Sequence, residues 1–102
     1  MIEENRKHKR VPILVEVLWE GGTRSAGART TDISEGGCFV DTIGHAAVGE
    51  TIHLKLLLPD GKWMPVQAEV VYELPRTGFG VRFTDISDQN RKRLRSLLGS
   101  ED

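Results

Sequence analysis

A period of two in the apolar residues, repeated in short stretches and broken each time by glycine or proline, restricts this chain more than any other feature. Val11, Ile13, Val15, Val17 and Trp19 alternate with other residues, and residues two apart in an extended chain share a side, so this stretch reads as a strand with a buried face. Leu14 and Leu18 make the opposite face partly apolar, which predicts cover on both sides. Gly21-Gly22 supplies a turn, and the chain returns from Arg24 to Ile33 through the small residues Ser25, Ala26, Gly27 and Ala28. Cys38 to Asp41 reads as a short strand and Thr42 to Glu50 as a loop. Ile52, Leu54, Leu56 and Leu58 then share a face. Pro59-Asp60-Gly61-Lys62 turns the chain, because proline presets φ and glycine accepts a positive one, and Trp63 to Leu74 runs back. After the turn Pro75-Arg76-Thr77-Gly78, Phe79, Val81 and Phe83 alternate again.

Near the C-terminus the period changes. Ser87 suits a helix N-cap, Asp88 the positive end of the helix dipole, and Leu94, Leu97 and Leu98 recur at helical spacing before Gly99 stops the run. About six short strands followed by one amphipathic helix predict a mainly β protein, a small antiparallel barrel with a helix packed on it.

With 102 residues and 11.4 kDa, the chain has room for one domain. The lone cysteine, Cys38, cannot form an internal disulfide and reads as a small buried strand residue. No apolar run approaches the roughly 20 residues of a membrane span, and the polar, basic start lacks a signal-peptide pattern, so a cytoplasmic location is expected. The net charge of -1 conceals two basic blocks, Arg6, Lys7, Lys9 and Arg10, then Arg91, Lys92, Arg93 and Arg95. Residues 1–10 lack apolar periodicity and are expected to form a flexible basic arm, leaving 11–102 as the barrel and helix.

Catalytic readings find no residues to stand on. His8, His45 and His53 are far apart, with no carboxylate or cysteine at metal-ligand spacing, so no metal is expected. Ser34 lacks the preceding glycine of a nucleophile elbow, and Gly78-Phe79-Gly80 is too short for a phosphate loop. A binding protein without cofactor is the expectation, not an enzyme.

The candidate site is Thr30-Thr31-Asp32-Ile33-Ser34-Glu35-Gly36-Gly37-Cys38-Phe39, a polar, glycine-bearing turn between strands. In an extended segment Asp32 and Ser34 point the same way and Ile33 turns inward. Gly36 and Gly37 would permit positive φ and present N–H groups as an anion-binding concavity. An ordinary capped turn accounts for the same residues. The repeat Asp85-Ile86-Ser87, with no glycine after it, marks a helix start, so the tripeptide alone carries no function. The other half of the candidate site is the arm: Arg6 and Arg10, four apart, offer rigid guanidinium forks that suit phosphate oxygens and the O6/N7 edge of guanine.

Arg6-x-x-x-Arg10 followed by Asp32-x-Ser34-x-x-Gly37 resembles the paired signature of PilZ domains, bacterial receptors for the second messenger cyclic di-GMP. Arg6-Lys7-His8-Lys9-Arg10-Val11-Pro12, Gly36-Gly37-Cys38-Phe39 and Gly78-Phe79-Gly80-Val81-Arg82-Phe83 extend the likeness from about Arg6 to Leu98. The resemblance implies a six-stranded barrel with a C-terminal helix and a ligand on the barrel's outer face under the N-terminal arm. It implies that Arg6 and Arg10 contact phosphates and guanine edges, while Asp32, Ser34, Gly36 and Gly37 hold the remaining groups. Asn5, Lys7, Lys9 and Ile33 are the secondary contacts it suggests. Asn5 stands where many relatives carry arginine and Lys9 where proline is common, which bears on how many ligand molecules are held. A single domain of this kind implies an adaptor that passes the signal to a partner protein. Two alternatives stay open: a small barrel binding single-stranded nucleic acid, for which aromatic platforms are scarce and the net charge unfavourable, and a ligand-independent interaction module.

Overall fold

The computed structural model describes residues 14–22, 24–30 and 32–99. Strands β1 (Val15–Gly21), β2 (Arg24–Thr30), β3 (Gly37–Asp41), β4 (Thr51–Leu57), β5 (Trp63–Leu74) and β6 (Gly78–Asp85) precede the helix α1 (Asp88–Leu98). They close into an antiparallel barrel in the order β1-β2-β3-β6-β5-β4. The all-β barrel with one C-terminal helix is thus the architecture the alternation calls for.

The inward residues fill the barrel. Val17, Ile52, Leu54, Leu56, Met64 and Val70 are buried, and Trp19 meets Phe79 edge to face at 5.2 Å, an arrangement the ring quadrupoles favour. The expectation that β1 is covered on both faces fails: Leu14 is 62% and Leu18 43% exposed. A single closed layer has one inside, and no described element packs against the outer side of β1.

β2 ends at Thr30 and does not continue to Ile33. Among the described residues its pairing with β3 is confined to Arg29 opposite Asp41, so the β2–β3 seam is the thin part of the wall there. At the far end of β2, Arg24 closes the gap. Its guanidinium bonds to the His45 carbonyl and pairs with Glu50, while lying 5.7 Å from the centre of the Trp19 ring.

β6 passes unusually close to its neighbours. A Cβ at Gly78 would stand 2.0 Å from the Val40 carbonyl oxygen, and one at Gly80 only 2.3 Å from the Tyr72 ring. Phe39 and Tyr72 stack above this glycine track with centroids 6.0 Å apart. Aromatic cover restores the burial that a strand glycine lacks.

Helix α1 stops one end of the barrel. Ser87 Oγ accepts from the Asn90 N–H at 3.1 Å as N-cap, and Gly99, at φ 73°, ends the helix. Leu94 is fully buried. On either side of it, Arg93 reaches Asp60 in the β4–β5 turn at 3.7 Å and Arg95 reaches Glu35 at 3.0 Å. No described helix is long and apolar enough to cross a membrane.

Candidate functional site

Between β2 and β3 the chain leaves the barrel ladder and pairs with itself. Ile33 bridges Cys38, the Phe39 N–H donates to the Asp32 carbonyl at 3.0 Å, and the Ser34 N–H donates to the Gly37 carbonyl at 2.9 Å. Glu35 and Gly36 are the reversal. The hairpin is in turn pinned to β6, whose Phe83 N–H donates to the Gly36 carbonyl at 2.8 Å.

Gly37 explains why no other residue serves there. A Cβ on it would lie 2.1 Å from the Val81 carbonyl oxygen, far inside contact distance. Its role is close approach, not left-handed backbone: neither Gly36 nor Gly37 has positive φ, contrary to the expectation. The anion-binding concavity is also reduced, because the Gly36 N–H already donates to Ser34 Oγ at 3.2 Å. The Ser34 hydroxyl folds back onto its own turn, and the residue is 5% exposed. A serine two residues before an N–H commonly does this.

Asp32 is half-buried, with its backbone N–H held by Thr30 Oγ1 at 3.3 Å. Ile33 points into the core at 0% exposure, so its side chain is not open to a ligand. Arg6, Arg10, Asn5, Lys7 and Lys9 lie outside the described residues. Of the expected site, therefore, the structure brings together Asp32, Ser34, Gly36 and Gly37 on one rigid hairpin.

Register adds residues to which sequence reading assigned no role. Opposite residues on antiparallel strands share a face. One outer row runs Asp32, Phe39, Gly80, Tyr72 and the next Ser34, Gly37, Arg82, Glu69. Arg82 pairs with Glu69 at 2.6 Å. The signal for Arg82 was present: it alternates with the inward Val81 and Phe83.

A cavity of about 540 Å³ opens beside the hairpin, lined by Glu35, Gly36, Arg82, Thr84, Asp85 and Arg91 among others. A larger one, about 710 Å³, lies on the wall of β1, β2, β4 and β5 around Leu18, Lys55 and Pro65, and none of the hairpin residues lines it. The smaller cavity is the relevant one, since it shares walls with the signature turn. Among the described residues no three His, Cys, Asp or Glu side chains converge in a way that could hold a metal.

Three solved structures share the architecture. The Bacillus subtilis inhibitor of motility (MotI/DgrA) superposes with a TM-score of 0.77 at 16% identity, over 92% of this chain and 49% of that one. This chain therefore spans about half the length of that protein. The PilZ domain of CeSA from a cellulose-synthesizing bacterium gives 0.71 at 20% identity, over 92% of this chain and 99% of that one. Escherichia coli YcgR, solved in complex with c-di-GMP, gives 0.73 at 15% identity, over 94% and 45%. At such identities the likeness is one of fold. No curated protein matches the sequence. The PilZ domain family model does match, over residues 4–100. Signature hairpin, barrel order and family match agree, and the chain belongs to the PilZ domain family.

Proposed function

We propose that this PilZ domain binds cyclic di-GMP on the outer face of the hairpin Asp32–Gly37 and relays its presence to a partner protein. One observation carries the proposal: the Asp-x-Ser-x-x-Gly turn is locked between its own pairing and β6, with Gly37 too close to Val81 for any side chain. Such a corner presents its polar groups at fixed positions, which lowers the ordering cost of binding. Escherichia coli YcgR, which shares this fold over 45% of its length, is itself solved in complex with c-di-GMP, which supports the reading.

In this proposal Arg6 and Arg10 approach from the arm and supply the cationic side. Asp32 accepts from guanine donors. Fixing a polar segment costs about 1–2 kcal/mol per residue, and a charge-assisted bond to phosphate contributes roughly 1.5–3 kcal/mol, so closure of residues 1–10 requires the ligand. The closed arm is then the surface a partner reads. Binding, without catalysis or cofactor, is the whole activity, and its setting is the bacterial cytoplasm.

Calorimetric titration of cyclic di-GMP into the full chain tests this directly. Micromolar or tighter affinity is expected. Absence of binding would reject it, and binding of random oligonucleotides with a steep salt dependence would favour the nucleic-acid reading instead.

A further inference from the structure

Arg91 stands apart from the arginines around it. Arg82 is held by Glu69 at 2.6 Å, Arg93 by Asn90 Oδ1 at 3.2 Å and Asp60 at 3.7 Å, and Arg95 by Glu35 at 3.0 Å. The Arg91 side chain has no hydrogen bond or ion pair with any described residue, yet it is half-buried and lines the 540 Å³ cavity together with Glu35 and Gly36.

Nothing in the fold rewards that placement. A partly desolvated cation without a partner is unfavourable. Arg91 also sits in the first turn of α1, its N–H donating to the Ser87 carbonyl at 2.8 Å, and a positive charge belongs at the other end of a helix dipole. The buried residue of α1 is Leu94, so the helix does not depend on Arg91 for its packing.

We infer that Arg91 is a ligand-binding residue that receives a phosphate oxygen of the nucleotide seated on the signature hairpin. This deepens the cyclic di-GMP reading above and rests on it. The division of labour is chemical. Asp32 suits the hydrogen-bond donors of a guanine base, which leaves the anionic part of a cyclic dinucleotide in need of cations. Arg6 and Arg10 belong to one side of the hairpin in sequence. Arg91 brings a cation from α1 to the side where Gly36 borders the cavity. Glu35, the hairpin carboxylate that lines the cavity, is already engaged by Arg95. Asp85 lines the same cavity and opposes an incoming anion, so its charge sets how tightly the phosphate is held.

Calorimetric titrations of the full chain with cyclic di-GMP at low and high salt, on wild type, Arg91→Gln, Arg91→Lys and Asp85→Asn, decide the matter. Arg91→Gln should bind about tenfold more weakly, the scale of one charge-assisted hydrogen bond, and its affinity should depend less on ionic strength. Arg91→Lys should retain most of the affinity and the full salt dependence, because a phosphate accepts a point charge. Asp85→Asn should bind more tightly. Thermal unfolding should show all three variants folded, since glutamine and lysine match arginine in helix propensity and Asp85 is an exposed residue at the end of β6. Wild-type affinity and salt dependence in Arg91→Gln, or weaker binding by Asp85→Asn, would overturn this inference and leave the ligand assignment standing. A wild type that does not bind cyclic di-GMP removes both.

Discussion

Arg95 Nε donates to Glu35 Oε1 at 3.0 Å, tying α1 to the signature hairpin across 60 residues of sequence. Glu35 is largely covered, with its side chain 16% exposed, whereas Arg95 is 45% exposed. The pair therefore links the stopper of the barrel to the turn that carries Ser34 and Gly36, and it places the helix where a change at the hairpin reaches it.

Breaking this link should affect local motion more than global stability. Arg95→Ala exposes one carboxylate that has solvent within reach, and a half-exposed ion pair is worth at most about 1 kcal/mol. The urea midpoint should shift little. Hydrogen exchange in α1 should quicken while the strands keep their protection; unchanged exchange in α1 would show that the helix is held by other contacts alone, and a uniform acceleration across the barrel would show that the pair supports global stability.

Gly37→Ala is the opposite case. The added methyl meets the backbone oxygen of Val81 at 2.1 Å, and backbone on both sides is fixed by the β3–β6 ladder, in which Gly37 faces Arg82. Overpacking of this kind costs about 1–3 kcal/mol, and more where neither side can yield. Denaturant unfolding should register that loss, and cyclic di-GMP binding should fall although no side chain was removed. An alanine variant as stable as wild type would mean that the close β3–β6 approach is not needed.

Tyr72 and Gly80 should couple. A methyl at Gly80 collides with the Tyr72 ring at 2.3 Å, but the ring is the movable partner and 42% exposed. Gly80→Ala alone should destabilise by about 1–2 kcal/mol, Tyr72→Ala by about 1 kcal/mol through loss of its stack on Phe39, and the double variant by clearly less than the sum. Strict additivity would place the collision elsewhere.

The barrel was legible because alternation is a local record of a global inside. Val17, Trp19, Ile52, Leu54, Phe79 and Val81 all face the core as their spacing requires. Leu14 and Leu18 misled because an apolar side chain does not state whether anything covers it. At the site, the sequence marked Asp32, Ser34 and Gly37 but not the reasons for them. Gly37 answers to Val81 and Arg82, more than forty residues downstream, and no local rule for glycine turns contains that contact. Arg91 was hidden for the complementary reason. In sequence it is one of a run of basic residues, and only the pairing of Arg93 and Arg95 with Asp60 and Glu35 singles it out.

The two halves of the signature should fail differently when altered. Arg10→Ala is expected to abolish cyclic di-GMP binding, and Arg10→Lys to do nearly as badly, because an ammonium cannot reproduce the planar fork on the O6/N7 edge of guanine. Asp32→Ala and Arg6→Ala should weaken binding strongly. The stability effects separate the roles further. Asp32 belongs to a hairpin held by the backbone bonds from Phe39 to its carbonyl and from Ser34 to Gly37, which alanine leaves intact, so Asp32→Ala should stay folded while it loses affinity. Ser34→Ala removes the acceptor of the Gly36 N–H in a residue only 5% exposed, and should lose about 1 kcal/mol of stability together with affinity. Calorimetry beside denaturant melts resolves these five variants, and normal affinity in Arg10→Ala would take the arm out of the mechanism altogether.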